Sequence, residues 1–286
     1  MALSARTSLT SSHVSTAMRL LALVALVFAA LPLAAGDARA AKRFPVDSFS
    51  YYISEYESAV ARIAKELEQT NDEVEAELAA AETGQNSRLA AVSLEKLVGL
   101  DPKNAELWLK LARNLATAQP INDEDNYQLP TKMIGAGLKA YILASAAAEE
   151  AEALAIAAQG FAARETWRPA LQAYKESLRL AENPTIRATY EQTRADHGFR
   201  ITDYRVENDA MPPRVCFEMS DPPARAVSDF APYFRLDPGP VTAVTAEGTR
   251  LCVEGLKYGQ RYTITARKGL PSAVEEDLVR DFEYSI

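Results

Sequence analysis

Asp101-Pro102-Lys103-Asn104-Ala105-Glu106-Leu107-Trp108 reads as the junction between two helical units, and the rest of the chain is read outward from it. Forward of the junction, Trp108, Leu111, Ala112 and Leu115 recur at steps of three and four, which places them on one face of a helix. Backward from Pro102, Ala90, Leu94 and Leu97 do the same on the second helix of the preceding unit, with Val74 and Leu78 on its first. Units therefore start at 71 and 105, 34 residues apart.

A third unit is expected near 151. Leu154, Ala157, Ala158 and Phe161 take its first helix, and Trp167, Ala170, Tyr174 and Ser177 its second. The step from 105 to 151 is 46 residues, so the middle unit holds an insertion of about 12, assigned to the polar stretch Pro120–Asn126. The pattern of large and small residues resembles degenerate tetratricopeptide repeats, W-x2-L-G-x2-Y followed by A-x3-F and a terminal proline. Three such units are about the minimum that buries a continuous core. Asp123 and Asp125 are of the calcium-ligand type, but the stretch lacks the sixth-position Gly and twelfth-position Glu of an EF-hand, so it is read as a solvated loop. The alanines from 144 to 158 are read as tight helix–helix contact.

Upstream, residues 51–80 are expected to be helical. Ile53, Tyr56, Val60, Ile63, Leu67 and Val74 form a stripe that skips only Thr70. Fewer than four heptads favour packing on neighbouring helices over a coiled coil. The first 40 residues read as a signal peptide. Arg6 and Arg19 precede 16 uncharged apolar residues, Leu20–Ala35, and Ala38-Arg39-Ala40 supplies the cleavage site between Ala40 and Ala41. The apolar run spans roughly 24 Å, short of the ~30 Å hydrocarbon core, so no stable membrane span is expected after cleavage.

Composition narrows the chemistry. The whole chain has 31 basic and 39 acidic side chains, net −8. Without residues 1–40, which hold three arginines and one aspartate, 28 face 38, net −10. No basic face is visible for nucleic acid. Beyond the leader there is one histidine, His197, and two cysteines, which rules out a His- or thiolate-rich zinc site. His197 precedes Gly198 where a helix ends, and is read as a capping cation with Gly198 at C′. Gly-x-Ser-x-Gly, the P-loop and H-E-x-x-H are absent, and Glu275-Glu276-Asp277 is read as a solvated turn. No catalytic residue, cofactor or metal site is expected, and the chain is read as a non-enzyme.

After Gly198 the period changes from helical to alternating. Val215, Phe217 and Met219 oppose Cys216 and Glu218; Leu251 and Val253 oppose Cys252 and Glu254; Tyr262, Ile264 and Ala266 oppose Thr263, Thr265 and Arg267. Leu256–Gln260 is read as a hairpin-type connection between two of these strands. Short alternating strands over about 85 residues argue for an antiparallel β-sandwich. Each cysteine lies mid-strand on the face opposite its large apolar neighbours, so a bridge between Cys216 and Cys252 is expected in an oxidising compartment. Two small buried thiols are the alternative, and Cα atoms more than about 7 Å apart would exclude the bridge.

The blocks Arg214–Pro222, Asp229–Phe234, Leu251–Gly259 and Tyr262–Ser272 resemble, in order, the first macroglobulin domain of proteobacterial α2-macroglobulin-family proteins. The helical stretch from about 88 to 198 is similar to the region preceding that domain in one branch of the family. The resemblance implies a periplasmic endopeptidase inhibitor, a protease trap with a bait segment and, in some members, a Cys-Gln thioester. Neither cysteine stands in a Cys-x-x-Gln setting: Cys216 is followed by Phe-Glu-Met and Cys252 by Val-Glu-Gly. The expectation is thus the N-terminal scaffold or docking portion of such a protein, without bait or thioester. Implied partners are its remaining macroglobulin domains, proteases or envelope proteins. A self-standing periplasmic adaptor that grips a partner in the repeat groove is the alternative; a carbohydrate-binding Ig-like module is disfavoured because alternation turns Tyr262 inward. The expected organisation is α+β multidomain: signal peptide 1–40, N-terminal helix 41–70, tetratricopeptide-like repeats 71–198 and macroglobulin-like β-sandwich 199–286.

Overall fold

Eight helices are followed by seven antiparallel strands in a computed structural model that describes residues 42–286. The expected signal segment and the Ala40/Ala41 cleavage site lie outside the described residues. The helices are α1 Ser50–Lys65, α2 Asn71–Thr83, α3 Ser87–Leu100, α4 Ala105–Thr117, α5 Asp123–Leu143, α6 Ala147–Ala163, α7 Trp167–Leu180 and α8 Pro184–His197. Short polar connections start most of them. Asn86, Asn104, Asn122 and Asn183 each accept a backbone N–H of the first turn through Oδ1, which satisfies a donor the helix leaves open.

The single helix expected over 51–80 is two helices. Thr70 caps α2 with Oγ1 on the Glu73 N–H, while Glu73 returns its carboxylate to the Thr70 N–H. This reciprocal capping box outweighs the continuous apolar stripe. The middle insertion is not a loop either. The connection is short, and the added residues lengthen α5 to 21 residues against 14 in α3 and 14 in α7.

Helices α2–α3, α4–α5 and α6–α7 pair as successive hairpins over one apolar core. Trp108, Leu111, Ala112, Leu115, Leu154, Ala158, Phe161, Ala170 and Tyr174 are all buried in it. Helix α1 lies across α3 and α5. Two glycines of α5 set these approaches: a Cβ on Gly135 would stand 2.8 Å from the Tyr52 carbonyl oxygen of α1, and one on Gly137 2.8 Å from that of Ala153 in α6.

The strands are β1 Ile201–Glu207, β2 Arg214–Met219, β3 Phe234–Asp237, β4 Val244–Glu247, β5 Arg250–Val253, β6 Thr263–Ala266 and β7 Phe282–Ser285. They make one sheet in the order β1-β2-β5-β4 and a second in the order β3-β6-β7, with every pairing antiparallel. Val215, Phe217, Leu251 and Val253 of the first sheet share a core with Phe234, Leu236, Ile264 and Ala266 of the second. Phe217 and Phe234 stack across it at 5.8 Å. Leu256–Gln260 is therefore not a hairpin, because β5 and β6 belong to different sheets and the segment crosses between them. The hairpin partner of β5 is β4, joined through Gly248-Thr249, with Gly248 at φ +65° where a side chain would be strained.

Cys216 and Cys252 face each other in the β2–β5 register and are bridged, with Cα atoms 3.9 Å apart. Among the described residues, no helix is long and apolar enough to cross a membrane.

Candidate functional site

The alanines of α6 divide between two faces. Ala153 and Ala157 pack beneath Gly137 of α5, as the tight contact expected of them. Ala148, Ala151 and Ala155 lie on another side and, with Ile156, floor a groove of about 530 Å³. Arg113, Ala116 and Thr117 of α4 form one wall, and Ala181–Asn183 with Ile186 form the other. Ser177 at its edge is already satisfied, donating to the Ala151 carbonyl oxygen at 2.6 Å. The floor is thus mostly methyl-lined, with Glu152, paired to Arg113, and Gln159 as the polar side chains that α6 adds to it.

Charge at the groove is ordered by ion pairs between neighbouring helices. Arg113 grips Glu152 bidentately, Nε to Oε1 at 2.6 Å and Nη2 to Oε2 at 2.7 Å. Lys110 reaches Glu82 of α2 at 2.8 Å. The hydrogen bonds from Glu152 hold the Arg113 guanidinium above its ordinary pKa, with Glu149 and Glu106 adding to the effect. Both cations of α4 are therefore matched to carboxylates of the neighbouring helices α2 and α6.

A second constellation joins the helices to the sheets. Arg168, in the first turn of α7, meets Glu276 Oε2 through Nη1 at 2.8 Å and Asp221 through Nη2. Glu276 also accepts the Phe199 N–H at 2.9 Å. Ser220 donates from Oγ to Asp221 at 2.7 Å and accepts the Arg200 N–H at 3.1 Å. Beside it, Arg194 of α8 holds Asp277, and Lys175 of α7 holds Glu275 at 3.2 Å. Glu275-Glu276-Asp277, expected as a solvated turn, supplies three of the carboxylates of this joint, and Glu276 is buried.

Trp167, expected in the repeat core, is only half-buried. It stacks on His197 with ring centroids 3.5 Å apart and planes 3° from parallel. Gly198 does end α8, but in an extended conformation at φ −74° and ψ −162°, without the left-handed turn of a C′ glycine. Its value is space: a Cβ there would stand 2.4 Å from the Arg194 carbonyl oxygen and 3.0 Å from Glu276 Oε2.

The Asp123–Asp125 pair is not a solvated loop. Asp123 opens α5, and Asp125 is buried, bound by Arg88 at 2.6 and 3.2 Å and by the Ile121 N–H at 3.0 Å. Those bonds, the Arg88 one foremost, hold its carboxyl below the usual range. Another buried carboxylate, Glu95 of α3, accepts Tyr56 Oη and Lys132 Nζ, each at 2.8 Å, and so pins α1 to α3 and α5. Neither Arg168 nor Glu95 stood out in the sequence, because their partners are distant and only charged residues within an apolar period hinted at them. Among the described residues, no group of three or more His, Cys, Asp or Glu is placed to hold a metal ion. No protein-family model matches the chain, and comparison with curated proteins finds no similar one.

Proposed function

We propose that the chain is an exported scaffold, the docking portion of a periplasmic α2-macroglobulin-like endopeptidase inhibitor. The family part of this reading rests on resemblance. The blocks that carry it include β2, β5 and β6, which share one core, and β2 and β5 are joined by the disulfide. The scaffold part is carried by a single observation, the Arg168-centred joint, which ties stacked helical hairpins to the sheets through buried ionic groups. Such a joint presents helices and sheets as one body, as a docking platform requires. In this reading the chain contributes no thioester, and alone it does not inhibit endopeptidases.

The test is chemical cross-linking in the native Gram-negative envelope, followed by affinity purification. The expected product is a stoichiometric complex with a polypeptide carrying further macroglobulin-type domains and a bait segment. Recovery of the chain with no such polypeptide would sink the inhibitor reading.

The adaptor reading is favoured separately by the groove between α4, α6 and the start of α8, whose size and methyl-lined floor suit a polypeptide segment.

A further inference from the structure

Charge is segregated between the two helices of each hairpin. The first helices, α2, α4 and α6, carry nine acidic and two basic side chains, whereas the second helices, α3, α5 and α7, carry five acidic and seven basic. The first helices adjoin one another through Lys110–Glu82 and Arg113–Glu152, so their acidic excess lies in one layer. That layer supplies one wall and the floor of the groove. Its two cations are each paired with one carboxylate, and Glu149 and Glu106 add further negative charge near Arg113.

The floor says what form the occupant takes. An extended segment brings backbone N–H and C=O groups that each need a partner when buried, whereas a helix satisfies its own. Ala148, Ala151, Ala155 and Ile156 offer methyl groups, and the Ser177 hydroxyl and the Glu152 carboxylate are already bonded. Gln159 is the one further polar side chain of α6 in the lining, and these are too few for the regularly spaced partners an extended backbone needs. Small side chains also let a second helix approach closely, as Gly137 and Ala153 already do on the other side of α6.

We propose that this groove takes a basic amphipathic helix of a partner protein, with its small apolar face on the alanines and its lysines or arginines over the acidic rim. The proposal rests on the docking reading of the groove and names the chemistry of the partner. The negative layer draws in the cationic helix and disfavours an acidic one, so it acts on partner choice.

The purified chain tests this directly with fluorescently labelled synthetic peptides of ~18 residues, about five helical turns. One has an Ala/Leu face and a lysine face, the second replaces lysine by glutamate, and the third is the lysine peptide interrupted by proline. Fluorescence anisotropy is expected to show the lysine helix binding at least tenfold tighter than either control, with the preference weakened in high salt. Ala148→Trp, at an exposed groove position, is expected to weaken that binding at least tenfold, and Glu149→Lys to cut the lysine preference at least threefold. Both variants should keep the parent's circular dichroism. Binding of no peptide, equal binding of all three, or indifference to Ala148→Trp overturns the proposal. Absence of a macroglobulin-type partner in the envelope overturns the inhibitor reading alone and leaves the peptide result standing.

Discussion

Arg168 and Glu276, 108 positions apart, meet Nη1 to Oε2 at 2.8 Å and join the first turn of α7 to the last turn before the C-terminal strand. Arg168 answers two acids at once, since Asp221 also binds it, and both acids are nearly closed to solvent. Removing the cation strands two carboxylates, the costly way to break a buried pair, at about 3–5 kcal/mol. Arg168→Ala is therefore expected to lower the thermal midpoint sharply and to split one cooperative transition into separate helical and β components. Glu276→Gln, which keeps an acceptor for the Phe199 N–H, should cost less. Differential scanning calorimetry of the three proteins checks this; a single unshifted transition in Arg168→Ala would rule the joint out as the coupling element.

The Cys216–Cys252 bridge spans 36 residues and crosses between β2 and β5 at directly opposed positions. On the chain-entropy model, closing such a loop stabilises by about 4 kcal/mol. The double variant Cys216→Ala/Cys252→Ala should lose an amount of that order in urea titration. Unfolding the parent in reductant should give the same displacement. A parent whose midpoint does not respond to reductant would contradict a formed bridge.

The legible parts of the fold were those written in local period. Trp108, Leu111 and Leu115 are in phase over one helix, and Val215, Phe217 and Met219 alternate along one strand, so burial follows from spacing. Failures came where a short polar signal or a distant partner decides. The Thr70–Glu73 capping box splits a helix that the apolar stripe from Ile53 to Val74 would continue. Trp167 fits a core position by spacing, yet it is only half-buried, stacked face to face on the His197 ring of α8. Separation conceals the joint completely: nothing near Arg168 indicates Asp221 or Glu276. The groove was foreseeable only as a general property of stacked hairpins, and its charge appears once acidic residues are sorted by helix.

Asp125 gives acid sensitivity to the α3–α5 contact. Its carboxyl is held low, first by Arg88 and then by the Ile121 N–H, so its folded pKa lies below the unfolded value near 4. A depressed acid contributes stability above the unfolded pKa and loses it as pH falls through the folded one. Asp125→Asn is therefore expected to be less stable than the parent at neutral pH, with the gap closing below about pH 4. Urea midpoints measured from neutral to acidic pH follow the gap directly. A gap independent of pH would show that the charge of Asp125 plays no part.

Glu95 is a second buried carboxylate, serving two partners on different helices. Tyr56 of α1 donates to Oε1 at 2.8 Å, and Lys132 of α5 reaches the same atom at 2.8 Å. Tyr56→Phe removes one bond to a charged acceptor and should cost about 1.5–3 kcal/mol. Lys132→Met leaves the carboxylate without a cation and should cost about 3 kcal/mol or more. Because both act on one oxygen, the double variant is expected to depart from additivity by at least about 0.5 kcal/mol. Alkali supplies an independent check. Burial first, and then the Glu95 charge, push the Tyr56 phenol well above its ordinary value of 10. A raised group contributes fully below the unfolded pKa and loses that contribution as pH climbs above it, because only the unfolded chain then ionises. The stability gap between parent and Tyr56→Phe should therefore narrow from about pH 9 to about pH 11. A gap that widened over that range would mean the phenol is ionised in the folded protein, and the Tyr56–Glu95 hydrogen bond would have to be abandoned.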